Sequence, residues 1–160
     1  MKIRVCRAER RDLDQLVELS QTLNEYHQKW IPNLKPAPLV RKKMKLHYLK
    51  QMRSRKTLVL KAVSGKEIIG YAIAELKKKP PIFTQRDYAY LDSIFVSEAW
   101  RKKGVAKLLV REIEKWAKKR GANSLELKAS SPNVTAITAY KKIGFSEKDK
   151  VMKKTLRPKK

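Results

Sequence analysis

The chain has 160 residues, 42% of them apolar, and carries 40 Lys and Arg against 15 Asp and Glu, a net charge of +25. That length suits one domain over residues 1–160 with its own core; no apolar run approaches the roughly 18 residues of a membrane span, and the opening "MKIRVCRAERRDL" lacks the apolar stretch of a secretory signal. One cysteine, Cys6, and no Cys/His cluster leave no internal disulfide and no metal site to expect, so the composition points to a cytoplasmic, metal-free basic protein in polyanionic company.

"KIRVCRA", with Ile3 and Val5 alternating, predicts a first strand. Asp12 is placed as the N-cap of a first helix, with Gln15 completing a capping-box-like pair. Leu16, Leu19, Leu23, Tyr26 and Trp30 follow at helical spacing. Three prolines in "IPNLKPAP" end that helix, and a second is predicted from about Leu39 to Met52, with Val40, Met44, His47, Tyr48 and Met52 on one face. "TLVLKAV", "SGKE" and "IIGYAIAEL" read as a β-hairpin, and "KKKPPIFTQRD" as a loop. In the next strand, "YAYLDSIFV", alternation puts Tyr90, Asp92, Ile94 and Val96 on one face and Leu91, Ser93 and Phe95 on the other. Val105, Leu108, Leu109, Ile113, Trp116 and Ala117 then form the stripe of an amphipathic helix, closed by Gly121. "NSLELKA" is a strand. "NVTAITAYKKIGF" is a helix with Ala136, Ile137, Tyr140 and Ile143 inward, and "SEKDKVMKKTL" a final strand. The order is α+β: a mixed, mostly antiparallel sheet of about six strands flanked by about four helices.

The stretch "SEAWRKKGVAKLL" joins a strand to a long helix through a basic loop. The first amides of a helix lack internal acceptors and sit at the positive end of its dipole, so they favour an anion. Gly104 has no Cβ to keep a phosphate off the backbone, and Ala106 keeps the next approach small. Arg101, Lys102 and Lys103 stacked at a helix start oppose the dipole; a bound pyrophosphate would compensate them.

"LDSIFVSEAWRKKGVAKLL" resembles the cofactor motif of the GCN5-related N-acetyltransferase (GNAT) superfamily, Q/R-x-x-G-x-G/A, at Arg101, Gly104 and Ala106. "SSPNVTAITAYKKIGF" resembles the family's second motif, matched at Asn133, Ala136, Tyr140, Gly144 and Phe145. The resemblance implies a GNAT-like fold and acetyl-CoA as cosubstrate. The loop amides of Arg101, Lys102, Lys103, Gly104, Val105, Ala106 and Lys107 would cradle its pyrophosphate. The backbone of Ile94, Phe95 and Val96 would pair with the pantetheine arm, as a strand pairs with an edge. Asn133 and Ala136, from the second motif, would complete the cofactor site.

The implied reaction is direct attack of a primary amine on the thioester in a ternary complex. Asp92 is the candidate base, acting through water, although carboxylates are weak bases at neutral pH; its other reading is a residue that orients water or pairs a cation. Tyr90 and Glu75 are further candidates beside it. Tyr140, as a phenol, can protonate the leaving thiolate; the alternative is a core aromatic. Backbone N–H groups near Val96 would polarise the thioester carbonyl. His27 and His47 read as packing or surface residues. The acceptor is a small molecule or a protein, through a lysine or an N-terminus. Between Tyr26 and Lys66 there are twelve Lys and Arg and no Asp or Glu. In the resembled family this segment forms one wall of the acceptor groove. Lys42, Lys45, Lys50 or Arg53 lining it would disfavour polycations and favour an acceptor that is neutral or acidic around its amine. The same segment supports the alternative of a nucleic-acid- or ribosome-associated module with little turnover. A homodimer paired through the final strand is compatible with the pattern.

Overall fold

The central strands β2 (Thr57–Ser64) and β3 (Glu67–Lys78) bury side chains on both faces, so apolar helix faces are needed on both sides of the sheet. The computed structural model, which describes residues 2–31, 33–35 and 37–157, supplies them in the order β1 (Ile3–Arg7), α1 (Leu13–His27), α2 (Ala37–Arg53), β2, β3, β4 (Asp87–Val96), α3 (Val105–Lys119), β5 (Leu125–Leu127) and α4 (Val134–Ile143). The five strands lie in chain order; all neighbours are antiparallel except β4 and β5, which run parallel.

On one face, Val105, Leu109, Val110, Ile113, Trp116 and Ala117 of α3 are buried against Leu58, Leu60, Ala72 and Leu91, with Ile143 and Phe145 packed onto the same cluster. Each large aliphatic side chain so buried contributes about 1.5–3 kcal/mol. On the other face, Leu13, Leu16 and Val17 of α1 and Tyr48 of α2 cover Val59, Ile68, Tyr71, Ile73 and Phe95.

Four expectations need correction. Asp12 holds the expected N-cap position of α1, but its side chain makes no cap hydrogen bond there. It ends a 3-10 turn over Arg10–Asp12, accepts from the Glu9 amide at 2.7 Å and receives the Lys61 ammonium at 2.7 and 2.8 Å on its two oxygens. A buried ammonium outbids a neutral amide for the carboxylate, because the charge-assisted bond is the stronger and an unpaired buried lysine is costly.

The first helix ends at His27, so Trp30 falls in the turn beyond it. Two of the three prolines meant to break it, Pro32 and Pro36, lie outside the described residues; Pro38 sits in the first turn of α2, where its missing N–H has no helical acceptor to lose.

The alternation in β4 is interrupted. Ile73 faces Ser93 while Ala74 faces Leu91, which leaves Asp92 as an extra residue, a β-bulge. Leu91, Ile94 and Val96 therefore share the α3 face, whereas Phe95 packs toward α1.

Finally, residues 146–156 form no strand, and the sheet has five strands. Val151, Met152 and Leu156 do not alternate, no core receives them, and they are 75%, 93% and 86% exposed. The strand expected to pair two copies is thus absent from the described residues.

Candidate active site

β4 and β5 pair only through Ala89–Leu125, Tyr90–Glu126 and Leu91–Leu127. Beyond Leu91 the bulge turns β4 away, and among the described residues no other strand takes up the outer edge of its last residues. The opening is a cleft of about 280 Å3. Ile94, Phe95 and Val96 line one wall, Asn133, Ala136 and Tyr140 of the α4 region line the other, and Arg101 and Ala106 are at the α3 end.

The turn at the α3 end has two residues with positive φ, Lys102 at 60° and Gly104 at 81°. Left-handed geometry is costly for lysine but free for glycine, and such turns gather backbone N–H groups into an anion-binding concavity. The first helical bond runs from the Leu108 amide to the Gly104 carbonyl at 3.0 Å, so the amides ahead of it have no helical acceptor. Open space surrounds the position a Cβ would take on Gly104. Lys102, Lys103 and Lys107 are exposed around this turn, and Lys103 lies over the Trp100 ring at 4.9 Å. Arg101 bends back instead: its Nε donates to the Val96 carbonyl at 3.1 Å and its guanidinium lies 5.9 Å from the Phe95 and Tyr26 rings. The Val105 side chain is in the core, so only its backbone can serve an anion.

Asn133 is buried and its side-chain oxygen caps α4, accepting from the Ala136 amide at 3.2 Å. That capping aims the helix start at the cleft and carries Tyr140 two turns along. Tyr140 stacks edge-on against Phe145 at 5.9 Å, and burial raises its phenol above the ordinary value. It is a proton donor throughout the neutral range.

A second cavity, of about 370 Å3, lies between the helices α1 and α2 and the sheet. α1 contributes Leu23, Asn24 and His27; α2 contributes Lys43, Met44, His47 and Tyr48; the sheet contributes Tyr71, Asp92 and Ser93. Leu23, His27, Asp92 and Ser93 line both cavities. The bulge thus puts the Asp92 carboxylate where the two meet. Burial, with Asp92 as a smaller cause, raises the phenols of Tyr48 and Tyr71. Burial also pushes His27 down, toward its neutral form.

Two candidates stand apart. Tyr90 lines neither cavity and holds Lys77 over its ring at 4.1 Å. Glu75 is exposed, lies 4.0 Å from Lys77 and lines neither cavity. Among the basic residues, Lys42, Lys50 and Arg53 line neither cavity, and Lys45 pairs with Asp14; the lysine of the second cavity is Lys43. Sequence reasoning left out Lys43, Tyr71 and Ser93 as site residues and set the two histidines aside. The signal was there on α2, where residues 43, 44, 47 and 48 fall on one helical face.

Comparison with known proteins identifies the family and the fold. An uncharacterised N-acetyltransferase of Methanocaldococcus jannaschii is 32% identical over 93 residues, covering 51% of this chain and 41% of the relative. An aminoglycoside N(6')-acetyltransferase type 1 of Acinetobacter haemolyticus is 35% identical over 63 residues, covering 39% of this chain and 43% of the relative. The chain thus spans less than half the length of these relatives. The solved structure of AAC(6')-Iy with the bisubstrate analogue CoA-S-monomethyl-acetylneamine superposes with a TM-score of 0.78 at 17% identity, covering 99% of this chain and 100% of that one; at that identity it shows a common fold. The profile of the acetyltransferase (GNAT) family matches residues 17–145, and the chain belongs to that family.

Proposed function

We propose that the protein transfers an acetyl group from acetyl-CoA to a primary amine of a small molecule. The observation that carries this is the meeting of two cavities at Asp92 and Ser93, one open to an anion cradle and bounded by a phenol, the other lined by helices α1 and α2 and the sheet. The solved relative holds a coenzyme A bisubstrate analogue, which supports the assignment of the first cavity to the cosubstrate and the second to the acceptor.

The amides after Gly104, with Lys102, Lys103 and Lys107 exposed around the turn, would hold the pyrophosphate. The free edge of β4 would hold the pantetheine arm. An arriving ammonium loses its proton toward Asp92, through water. The neutral nitrogen then bonds to the thioester carbon. As the tetrahedral intermediate collapses, the carbon–sulfur bond breaks, Tyr140 gives its proton to the departing thiolate, and the nitrogen's second proton passes through water to restore the phenol. Asp92 holds the proton that the amine gave up.

The test is release of free thiol from acetyl-CoA in the presence of primary amines, with the acetylated amine identified by mass. Coenzyme A binding without thiol release for any amine would leave a binding module in place of an enzyme.

A compatible second reading is association with a polyanion. Arg41 and Lys45 pair with Asp14 or Glu18 and Lys61 with Asp12. The other nine of the twelve cations between Tyr26 and Lys66 are exposed, with no acidic partner among the described residues.

A further inference from the structure

We propose that the cavity between α1, α2 and the sheet selects an amine whose molecule also carries an anionic group, a carboxylate or a phosphate, recognised by Lys43. This rests on the reading that the cavity holds the acceptor.

The charges lining the cavity decide the class. Its only carboxylate among the described residues is Asp92, at the junction with the cosubstrate cleft. That is where the reacting nitrogen belongs. Lys43 belongs to the helix wall contributed by α2. It is exposed, with no acidic partner among the described residues, whereas its neighbours Arg41 and Lys45 are held by acids of α1. An amine with an anion at its other end satisfies Asp92 and Lys43 together. The alternative, an acceptor with several ammonium groups, finds one carboxylate, meets an unpaired lysine and enters a protein of net charge +25. Like charges repel at close range, and the overall field steers polycations away and anions in.

The polar lining points to a small polar ligand. Tyr71 is 1% exposed. Its hydroxyl and that of Ser93 are buried, and neither completes a well-formed hydrogen bond, although they and the Tyr48 hydroxyl lie near one another. Buried polar groups left this way call for a partner, and both residues line this cavity beside Asp92. Leu23 and Met44 add apolar surface to the same lining. The volume, about 370 Å3, is that of a small-molecule site.

The class separates this protein from the aminoglycoside acetyltransferases it resembles, since an aminoglycoside carries several amines and no anion. The experiment compares kcat/KM for pairs that differ only in the anion: ω-amino acids against n-alkylamines of equal chain length, tyrosine against tyramine, phosphoethanolamine against ethanolamine. Kanamycin and spermidine represent polycations. The anionic member of at least one pair should exceed its partner by about tenfold or more, the size of a hydrogen bond to a charged group. Lys43→Met should bring that ratio toward one and Lys43→Glu should invert it. Equal or better rates for the alkylamines or polycations overturn the proposal, as does a ratio that survives both substitutions. Thiol release with none of the amines, while coenzyme A binds, removes the acetyl-transfer reading and the acceptor class with it.

Discussion

Tyr140 and Gly104 can each be tested by one substitution. Tyr140→Phe keeps the ring against Phe145 and removes the proton. If the phenol serves the leaving thiolate, kcat should fall about 10²-fold, within the range for general acids, while coenzyme A affinity by calorimetry stays the same. Because burial raises this phenol, its protonated form persists through the neutral range. The wild-type kcat should therefore show no decline from Tyr140 below about pH 10, the ordinary phenol value. Equal losses in binding and turnover in the mutant would instead mark a packing residue. Gly104→Glu works on the other end of the cleft. It forces a side chain into a backbone with φ of 81°, at about 1–2 kcal/mol, and sets a carboxylate where the pyrophosphate is expected. A folded mutant that binds coenzyme A as well as the wild type would sink the cradle. Both residues were legible in the sequence because their motifs are local: a glycine before an apolar stripe, and a tyrosine at fixed spacing from Asn133 and Gly144. Lys43, Tyr71 and Ser93 were not, because three different elements bring them together.

The strand β4 illustrates what local pattern misses. Its existence and nearly its limits follow from "YAYLDSIFV", and the stripe on α3 was read almost whole, with Val110 buried where Leu108 was expected to be. The bulge was invisible because register belongs to a pair of strands. It depends on Ile73 facing Ser93 and Ala74 facing Leu91, and it decides which way Asp92 points. The final strand failed for a related reason: β propensity without an alternating face has nothing to pack against. The approach of β3 to β4 makes a prediction of its own. A Cβ on Gly70 would lie 2.6 Å from the Phe95 carbonyl oxygen, so the two backbones touch just where β4 forms the cleft wall. Gly70→Ala must displace β4 there. We expect a loss of about 1–3 kcal/mol, the usual range for overpacking, seen as a lower urea midpoint at constant m, together with weaker coenzyme A binding. Unchanged stability and affinity would mean that β4 yields freely at this point and that its position does not set the cleft.

At the scale of the molecule, composition indicated charge but not its placement. The acids of α1 draw Arg41 and Lys45 toward the helix pair and Asp12 holds the buried Lys61, which leaves Lys43 in the cavity between α1, α2 and the sheet and the other positive side chains of that segment exposed. The proposed selection of small acceptors and the proposed engagement of a polyanion would thus rest on different side chains. Arg53, Arg55 and Lys56 are exposed at and beyond the end of α2 and line neither cavity. If this surface engages about five phosphates, affinity for a short RNA or DNA duplex should fall with a log–log salt slope of about −4 to −5. Replacing Arg53, Arg55 and Lys56 by glutamate should make that slope shallower by about 3, with acetyl transfer to a small amine retained. The measurement is fluorescence anisotropy of a labelled duplex between about 50 and 200 mM salt, the interval over which several phosphate contacts change affinity by orders of magnitude. An affinity that ignores salt, or a slope unchanged in the triple mutant, would mean that these side chains do no more than keep a strongly charged surface solvated.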